Sequence, residues 1–296
     1  RSLLTRFHMP IIFKIFIFFH VFLFGIGSQF LSLPFSSKEL SIGSHPTLFE
    51  HGPVNPSLYH AIQNRPSISF NQGVWFGDIS LTQASYNFEK NDVITHFGFK
   101  YSGITDLEFR NDSPSDNPLS YFSSFGISLD AGKAAIRDNQ RYGISISYVH
   151  FGIFTYESKG IGINLGYSID LVNKIKVGVV MQNLGKMSKL QSDEILLPRR
   201  ILAGVSKGFK FNQIKNSVYT SIEKNALTPN AKMHLGNHFN WNRFNLFSGI
   251  SSSKNILETS IGFGLLLSRF EIVYGLRFGS QNIGIPQIIS IRFLMS

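Results

Sequence analysis

The feature that most constrains the fold of this chain is a stretch in which every second residue is apolar. Between Gly160 and Leu171, isoleucine, leucine and tyrosine alternate with glycine, asparagine, serine and aspartate. Side chains on a β-strand point alternately to the two faces of the sheet, so this stretch predicts a strand with one apolar and one polar face. The same alternation recurs from about Ser67 to the C-terminus, which predicts an all-β structure for that part of the chain.

The alternation divides residues 67–296 into fourteen candidate strands. Tight connections follow the second, sixth, tenth and twelfth strands, whereas Gly103–Pro118 and Gly185–Pro198 are long. An antiparallel membrane barrel has short turns at one end, longer loops at the other and an even number of strands. The connection from Gly132 to Gln140 is of intermediate length, which leaves a range of roughly 12 to 16 strands. In the second strand the apolar positions change parity near Thr82, which predicts a β-bulge.

Alternation alone would suit a soluble β-sandwich equally well. In this chain the apolar face carries bulky side chains, and the polar face carries mainly glycine, serine and asparagine. Lipid accommodates bulky side chains without shape matching, whereas a sandwich core must interdigitate them. Charged residues make up only 16% of the chain, below the ~25% of typical soluble domains. We therefore favour a transmembrane antiparallel β-barrel over the sandwich.

The N-terminal residues have the pattern of a secretory signal peptide. Met9 is a candidate start, with residues 1–8 upstream of it, and Lys14 precedes an apolar run that ends in small residues near Ser28. The run is shorter than the ~20 residues of a spanning helix, which disfavours the alternative of a membrane anchor. We predict a signal peptide at 1–28, a segment at 29–66 that plugs or lines the lumen, and an outer-membrane barrel at 67–296.

The net charge of +10 does not indicate a nucleic-acid partner, because the basic residues are scattered rather than clustered on one face. We expect them in turns and in the lumen, with some attraction to anionic lipid headgroups. Examples are Lys90, Lys174, Lys176, Lys186, Arg199, Arg200, Arg243 and Arg269.

No residue pattern predicts an enzyme, a metal site or a cofactor site. The chain has no cysteine, and the Gly204–Gly208 match to a nucleophile elbow lies inside a strand, where that motif cannot work. His234 and His238 would stand ~13 Å apart on one strand, too far to share a metal ion. Together with other polar-face residues they are predicted to line the lumen: His96, Lys100, Lys232, His234 and His238.

Several short motifs resemble a known family of outer-membrane barrels. Leu31–Gly43 resembles the opening motif of the PorV/PorQ group, which lies within the wider FadL-like family of long-chain fatty-acid transporter-like barrels. Asn55-Pro56-Ser57 looks like the Asn-Pro-Ala of that family. The stretches Val179–Gly185, Leu196–Gly204 and Ile285–Phe293 are similar to later strand motifs of the same group.

The resemblance implies a fourteen-stranded barrel whose N-terminal segment occupies the lumen, with Asn55, Pro56 and Ser57 as candidates for gating it. PorV/PorQ-like members are non-enzymatic components of type IX protein secretion and surface attachment in Bacteroidetes-like bacteria. Secretion-machinery or cargo proteins would then be partners, alongside outer-membrane lipid. The alternative is a FadL-like passive channel for hydrophobic small molecules such as fatty acids, with a lateral opening at a kinked strand. A barrel lipase is a third hypothesis, which no group of residues supports.

Overall fold

Fourteen antiparallel strands form one closed barrel, in which each strand pairs with its sequence neighbours and β1 pairs with β14. The computed structural model describes residues 27–49, 54–59, 65–110, 116–254, 256–279 and 284–295. The predicted fold and strand number are confirmed, and the predicted signal peptide lies outside the described residues except for residues 27 and 28. The strands are β1 (Ser67–Trp75), β2 (Ile79–Lys90), β3 (Val93–Phe109), β4 (Ser120–Arg137), β5 (Gln140–Ile153), β6 (Tyr156–Asp170), β7 (Ile175–Met187), β8 (Arg200–Phe211), β9 (Ile214–Asn225), β10 (Lys232–Trp241), β11 (Phe244–Ser253), β12 (Ile256–Leu267), β13 (Phe270–Gly279) and β14 (Gln287–Leu294).

The two ends of the barrel differ in the length of their connections. At one end, which we call the turn end, all six connections span two to four residues, and Ser67 of β1 pairs there with Leu294 of β14. The opposite end, the loop end, carries the longest connections, residues 110–119 and 188–199. The intermediate connection expected from Gly132 was wrong, because β4 continues to Arg137 and leaves a two-residue turn. Outer-membrane barrels have short periplasmic turns, so we assign the turn end to the periplasm.

The outer face of the barrel is an apolar surface. In β6, Ile161 and Leu165 are 57% and 41% exposed, whereas Ser158 and Ser168 on the opposite face are buried. Phe70, Phe97, Leu129 and Ile146 are exposed in the same way on other strands. In a closed barrel the backbone hydrogen bonds of every strand are made to neighbouring strands, so an apolar outer surface can face lipid. No helix in the described part of the chain is long and apolar enough to cross a membrane.

The described parts of the N-terminal segment, residues 27–49 and 54–59, lie inside the barrel and are mostly buried. It forms a 3-10 turn at Gln29–Ser32, the short helix α1 at Ser37–Ser41 and a second 3-10 turn at Pro56–Leu58. Helix α1 contacts β11–β14, and the Pro56–Leu58 turn contacts β4–β6 on another part of the wall. Since these parts touch distant strands of one closed sheet, the segment runs through the lumen and contacts the wall on several sides.

Pairs of glycines on neighbouring strands make room for this segment on the inner wall. Each pair consists of direct cross-strand partners, and a Cβ on either member would press on the N-terminal segment. Residues 55–57 lie on one pair, Thr47 and Leu48 on the second, Ile42 and Gly43 on the third, and α1 on the fourth. The pairs are Gly143–Gly166, Gly178–Gly204, Gly236–Gly249 and Gly262–Gly275.

The predicted bulge near Thr82 was wrong. Strand β2 pairs with β1 and with β3 without any shift of register. The change of parity arises because Leu81 points inward and packs with Leu31, Phe35 and Leu40 of the N-terminal segment. The lumen face is thus apolar wherever it contacts that segment, and apolar residues appear on both faces of one regular strand.

Two irregularities do interrupt the ladder. The register between β3 and β4 shifts between Ile104 and Leu107, where Asp106 has a φ of 59°. The register between β6 and β7 shifts between Ile163 and Leu165, opposite Asn183 with a φ of 58°. A bulge adds an unpaired residue and bends its strand, so β3 and β7 are the strands whose backbone departs locally from the regular wall.

Candidate functional site

Residues 29–35 cross the lumen and divide it, and we call them the partition. Phe30, Leu31 and Phe35 are buried against Val149 and Ile288 of the wall. The Ser28 hydroxyl donates a hydrogen bond to the Leu196 carbonyl at 2.5 Å, which ties the start of this region to the loop before β8. The partition is thus held by both apolar packing and polar contacts.

An outer vestibule of about 600 Å³ lies on the loop-end side of the partition. Phe30, Leu33 and Pro34 form part of its surface, and one wall is apolar. Such a cavity presents a surface on which an apolar molecule gains free energy by leaving water. The apolar wall consists of Trp75, Ile79, Ile104, Leu107, Phe125, Phe151 and Ile153.

The opposite wall of the vestibule carries charged side chains that are paired with one another. Lys232 Nζ lies 2.6 Å from Glu258 Oε2, and Arg277 forms an ion pair with the same carboxylate. The Arg277 guanidinium also lies over the Trp75 ring, 5.0 Å from its centroid, and donates to the Ser44 hydroxyl at 2.9 Å. The vestibule is therefore amphipathic, with an apolar side and a charged side joined by the Arg277–Trp75 contact.

An inner chamber of about 110 Å³ lies on the other side of the partition. Leu33 borders both cavities, so the partition is one side chain thick at this point. The inner chamber is lined mainly by amides, hydroxyls and charged groups, and it would hold only a few water molecules. Its polar lining includes Asn71, Gln83, Asn87, Ser145, Ser147, Asn164, Gln182 and Arg292.

Arg200 joins the partition to the wall. Its Nη1 lies 3.5 Å from the Ser32 carbonyl and 3.3 Å from Glu223 Oε1, and its Nη2 donates to Gln182 Oε1 at 2.6 Å. Gln182 in turn donates to the Val54 carbonyl at 2.5 Å. One buried guanidinium thus connects both described parts of the N-terminal segment with β7, β8 and β9.

Helix α1 is fixed by a cap and by a buried ion pair. The Ser36 hydroxyl accepts from the Glu39 amide at 3.2 Å, and the Glu39 carboxylate accepts from the Phe35 amide at 3.0 Å, an arrangement close to a capping box. Lys38 Nζ lies 2.6 Å from Glu271 Oε1. Burial lowers the pKa of Lys38 to about 8, and Arg292 acts in the same direction against the opposing charge of Glu271.

A histidine links the end of this helix region to the same charged network. His45 Nδ1 lies 2.8 Å from Glu39 Oε1, and burial together with the charge of Arg200 lowers the pKa of His45. The His45 ring meets the His234 ring edge to face at 6.2 Å. His45 therefore stands between the carboxylate of α1 and the wall.

The predicted motif Asn55-Pro56-Ser57 is a buried turn attached to β6. Asn55 Oδ1 accepts from the Ser57 amide at 3.0 Å and from the Ser57 hydroxyl at 2.8 Å. Asn55 Nδ2 donates to the Tyr167 carbonyl at 3.3 Å, and the Ser57 hydroxyl oxygen accepts from the Ser168 hydroxyl at 3.1 Å. The motif anchors the segment, and a gating role for it stays a prediction.

His96 and Lys100 of β3 both border the inner chamber. The His96 ring stacks on Tyr59 at 4.2 Å, and its Nδ1 lies 2.7 Å from Asn87 Oδ1. Lys100 Nζ lies 3.6 Å from Asp130 Oδ2 and over the Phe35 ring at 5.9 Å. These two residues thus hold the turn after Ser57 and the end of the partition, respectively.

The other three predicted residues, all on β10, have separate partners. Lys232 belongs to the vestibule, and His234 lies between the Gly43 carbonyl at 2.7 Å and Glu223 at 3.1 Å. His238 stacks on Phe247 at 4.6 Å and contacts Asn245 Oδ1 at 2.9 Å. The five predicted residues therefore do not form one site, but are distributed around the lumen.

Arg200 and Leu33 are the functional residues that sequence reasoning missed. Arg200 was grouped with the scattered basic residues expected in turns and in the lumen, and no contact with the N-terminal segment was expected of it. The parity of β8 contained the missing signal, because Arg200, Leu202, Gly204 and Ser206 share one face. For Leu33 the sequence holds no such signal, since the partition has no regular periodicity.

Comparisons with known proteins agree on the fold. No protein-family model and no curated protein matches the sequence. Among solved structures, the CymD monoaromatic hydrocarbon channel superposes with a TM-score of 0.63 at 12% identity, covering 90% of this chain and 98% of that one. The toluene transporter TodX of Pseudomonas putida gives 0.57 at 12% identity, covering 92% and 98%. Omp33 of Acinetobacter baumannii gives 0.51 at 7% identity, covering 78% and 98%.

Identities this low establish the shared fold and nothing finer. The chain is a bacterial outer-membrane β-barrel. Of these neighbours, CymD is described as a channel, TodX as a transporter and Omp33 as an outer-membrane protein. No finding supports the type IX secretion assignment.

Proposed function

We propose that the protein is a passive outer-membrane channel for hydrophobic small molecules. The observation that carries the proposal is the outer vestibule, whose volume of about 600 Å³ falls within the ~300–1,000 Å³ of small-molecule sites. Its apolar wall offers a favourable environment to a molecule arriving from the loop end. The printed functions of CymD and TodX, a monoaromatic hydrocarbon channel and a toluene transporter, support this direction.

The inner chamber makes a straight path to the periplasm unfavourable for such a molecule. An apolar solute there would displace water from amides and hydroxyls without replacing their hydrogen bonds, which costs roughly 1–3 kcal/mol per group. The chamber of about 110 Å³ is also much smaller than the vestibule. We therefore propose that the ligand leaves sideways, through the wall, rather than along the barrel axis.

The bulge in β3 is the candidate for that lateral exit. Ile104 and Leu107 border the vestibule, and the two residues between them, Thr105 and Asp106, are out of register with β4. Interrupted pairing lowers the cost of separating two strands locally. The proposed exit thus lies in β3, since β2, where a bulge was expected near Thr82, pairs regularly with both neighbours.

The role of the apolar wall of the vestibule in transport can be tested in cells that express the barrel. The measurement is the rate of uptake of labelled toluene and of a labelled long-chain fatty acid. The variant Leu107→Gln/Ile153→Gln places two amides in the apolar wall, and we expect at least about fivefold slower uptake. Leu107→Met/Ile153→Val keeps the wall apolar and serves as the matched control. Equal uptake by cells with and without the wild-type barrel would overturn the proposal.

The lateral exit can be tested with an engineered disulfide. The chain has no native cysteine that could form a competing disulfide. Ile104 and Ser124 are cross-strand partners beside the bulge, and Ile104→Cys/Ser124→Cys can join β3 to β4. Oxidation should stop uptake, and reduction should restore it. The pair Ser248→Cys/Ile261→Cys joins β11 to β12 in a distant part of the wall as the control. Uptake that continues through the oxidised Ile104–Ser124 variant would exclude this exit.

A further inference from the structure

The side of the vestibule opposite its apolar wall carries no net charge. Its charged residues, which we call the charged wall, are Glu223, Lys232, Glu258 and Arg277. Lys232 and Arg277 both form ion pairs with Glu258. His45 also borders the vestibule, and burial lowers the pKa of His45, so this ring is neutral at pH 7. The cavity therefore faces two cations and two anions, whose charges balance.

The Lys232–Glu258 ion pair has hydrogen-bonding capacity that the described residues do not use. Glu258 Oε2 accepts from Lys232 Nζ at 2.6 Å and from the Ser251 hydroxyl at 2.8 Å, and Arg277 pairs with the same oxygen. Glu258 Oε1 accepts no hydrogen bond from the described residues, and the Lys232 ammonium donates only one of its three N–H groups to them. Both residues border the vestibule, and the Lys232 side chain is 28% exposed. The vestibule thus offers a ligand a donor and an acceptor side by side.

This ion pair distinguishes between the head groups that an apolar molecule could carry. A carboxylate only accepts hydrogen bonds, and repulsion from Glu223 and Glu258 offsets its attraction to Lys232. An ammonium only donates, and repulsion from Lys232 and Arg277 offsets its attraction to Glu258. A hydroxyl adds no charge and both donates and accepts, so one hydroxyl can bind both members of the pair. A plain hydrocarbon would displace water from the pair and replace none of its hydrogen bonds.

The charged wall and the apolar wall are close enough for one molecule to contact both. The Arg277 guanidinium lies 5.0 Å from the centre of the Trp75 ring, so a residue of one wall adjoins a residue of the other. Arg277 is held in this place by its ion pair with Glu258. The rest of the apolar wall contains further aromatic rings, which pack favourably against other rings. The body of a ligand can therefore lie on the apolar wall while its head group reaches Lys232 and Glu258.

We propose that the vestibule selects apolar molecules that carry a hydroxyl group, such as alcohols and phenols, over carboxylates, amines and plain hydrocarbons. The hydroxyl donates to Glu258 and accepts from Lys232, and the apolar body packs on the wall that includes Trp75. This substrate class rests on the proposed channel function and names the molecules that the channel would admit. Lys232 and Glu258 are thus the residues that determine specificity.

The test is equilibrium binding of four ligands that share one apolar body but differ in head group. The ligands are 3-phenylpropan-1-ol, 3-phenylpropanoate, 3-phenylpropylamine and propylbenzene. Their dissociation constants are measured at pH 7 with the barrel in phosphatidylcholine nanodiscs, and empty nanodiscs give the correction for partitioning into lipid. We expect the alcohol to bind at least about fivefold more tightly than each of the others, because hydrogen bonds to charged groups are stronger than those between neutral groups.

Two variants that each remove one charge test the assigned residues. Glu258→Gln leaves the cations of the charged wall in excess, so the ratio of the alcohol and carboxylate dissociation constants should shift toward the carboxylate by at least about tenfold. Lys232→Gln leaves the anions in excess, and a similar shift should favour the amine. Glu194→Gln and Lys189→Gln, at exposed positions that do not border the vestibule, are the matched controls and should keep the wild-type order.

The results that would overturn this substrate class differ from those that would overturn the channel. If the four ligands bind the wild type equally, or if the carboxylate binds most tightly, the hydroxyl site is wrong, whatever the uptake of toluene and fatty acid shows. A preference for the alcohol in a barrel that takes up neither compound would support the site and remove only the channel. If Glu258→Gln does not fold, judged by heat-modifiable migration on gels, the partly exposed Lys232 decides, and an unchanged order in Lys232→Gln would exclude the hydroxyl site.

Discussion

The side-chain amide oxygen of Asn55 lies directly against the bare α-carbon of Gly166, on the inner wall of the barrel. The backbone of Pro56 and Ser57 packs in the same way against Gly143, the cross-strand partner of Gly166. This contact repeats at three further glycine pairs along the segment. At Gly143 and Gly166 the N-terminal segment therefore approaches the wall so closely that a methyl group on either glycine would clash with it.

Replacing Gly166 by alanine should displace the Asn55–Ser57 turn. We expect the free energy of unfolding to fall by about 1–3 kcal/mol, the usual cost of overpacking, together with faster proteolysis of the N-terminal segment. Gly162→Ala is the control on the same face of β6, because its Cβ would meet Leu197 at an ordinary 3.6 Å. Equal stability of the two variants, measured by urea unfolding in detergent micelles, would contradict the close fit.

Arg200 should stabilise the folded barrel chiefly by compensating a buried carboxylate. Arg200→Met leaves Glu223 with His234 alone, and we expect a loss of roughly 3 kcal/mol, as for other broken buried pairs. Adding Glu223→Leu should recover part of this loss, because the uncompensated charge is then removed. The exposed pair Arg110–Glu108, at 2.6 Å, provides the control, and Arg110→Met should cost less than about 1 kcal/mol. If the losses of unfolding free energy in the two single variants simply add up in the double variant, Arg200 and Glu223 are not energetically coupled.

Leu33 should determine how well the two cavities are separated. Since its side chain borders both, Leu33→Ala is expected to raise the single-channel ion conductance severalfold in planar bilayers. Leu196→Ala, at an exposed position in the loop before β8, should leave the conductance unchanged. An unaltered conductance in the Leu33 variant would mean that other residues of the partition close the path.

The stability of the barrel should depend on pH through Lys38. Its pKa in the folded protein is about 8, below its ordinary value of 10.5, so the unfolded chain holds the proton over a range where the folded one has released it. The free energy of unfolding should therefore rise between pH 8 and about pH 10.5, by up to ~3 kcal/mol, and stay level in this respect below pH 8.

Lys38→Met removes that titration, and the difference in unfolding midpoint between wild type and variant isolates it from other groups. Because Lys38→Met leaves the buried Glu271 carboxylate with Arg292 alone, the variant should be the less stable protein at pH 7, and its deficit should grow between pH 8 and about pH 10.5 as the wild type gains stability. Lys90→Met, at an exposed turn, is the control for loss of a lysine. A difference between wild type and Lys38→Met that does not vary with pH would contradict the assigned pKa.

Much of the candidate site could be read from strand parity, and some of it could not. Parity put His96, Lys100 and Lys232 on the polar face of their strands, and these residues border the two cavities. The same parity placed many glycines on the polar face, where we interpreted them only as small residues facing a water-filled lumen. Their use as contact points became visible only with the N-terminal segment in place, since that segment has no periodicity from which its path could be derived.

The alternation of apolar and polar residues located the strands, because lipid imposes the same requirement at every outward position; the bulk of the apolar face and the alternating lengths of the connections then favoured a closed barrel of about fourteen of them. The inward positions obey no such uniform rule. Leu81, Phe247 and Val273 face the lumen as apolar residues because each meets a particular side chain of the N-terminal segment. Arg200 faces inward because Ser32, Gln182 and Glu223 converge on it. Only the tertiary structure decides such contacts, since they join residues that are far apart in the chain.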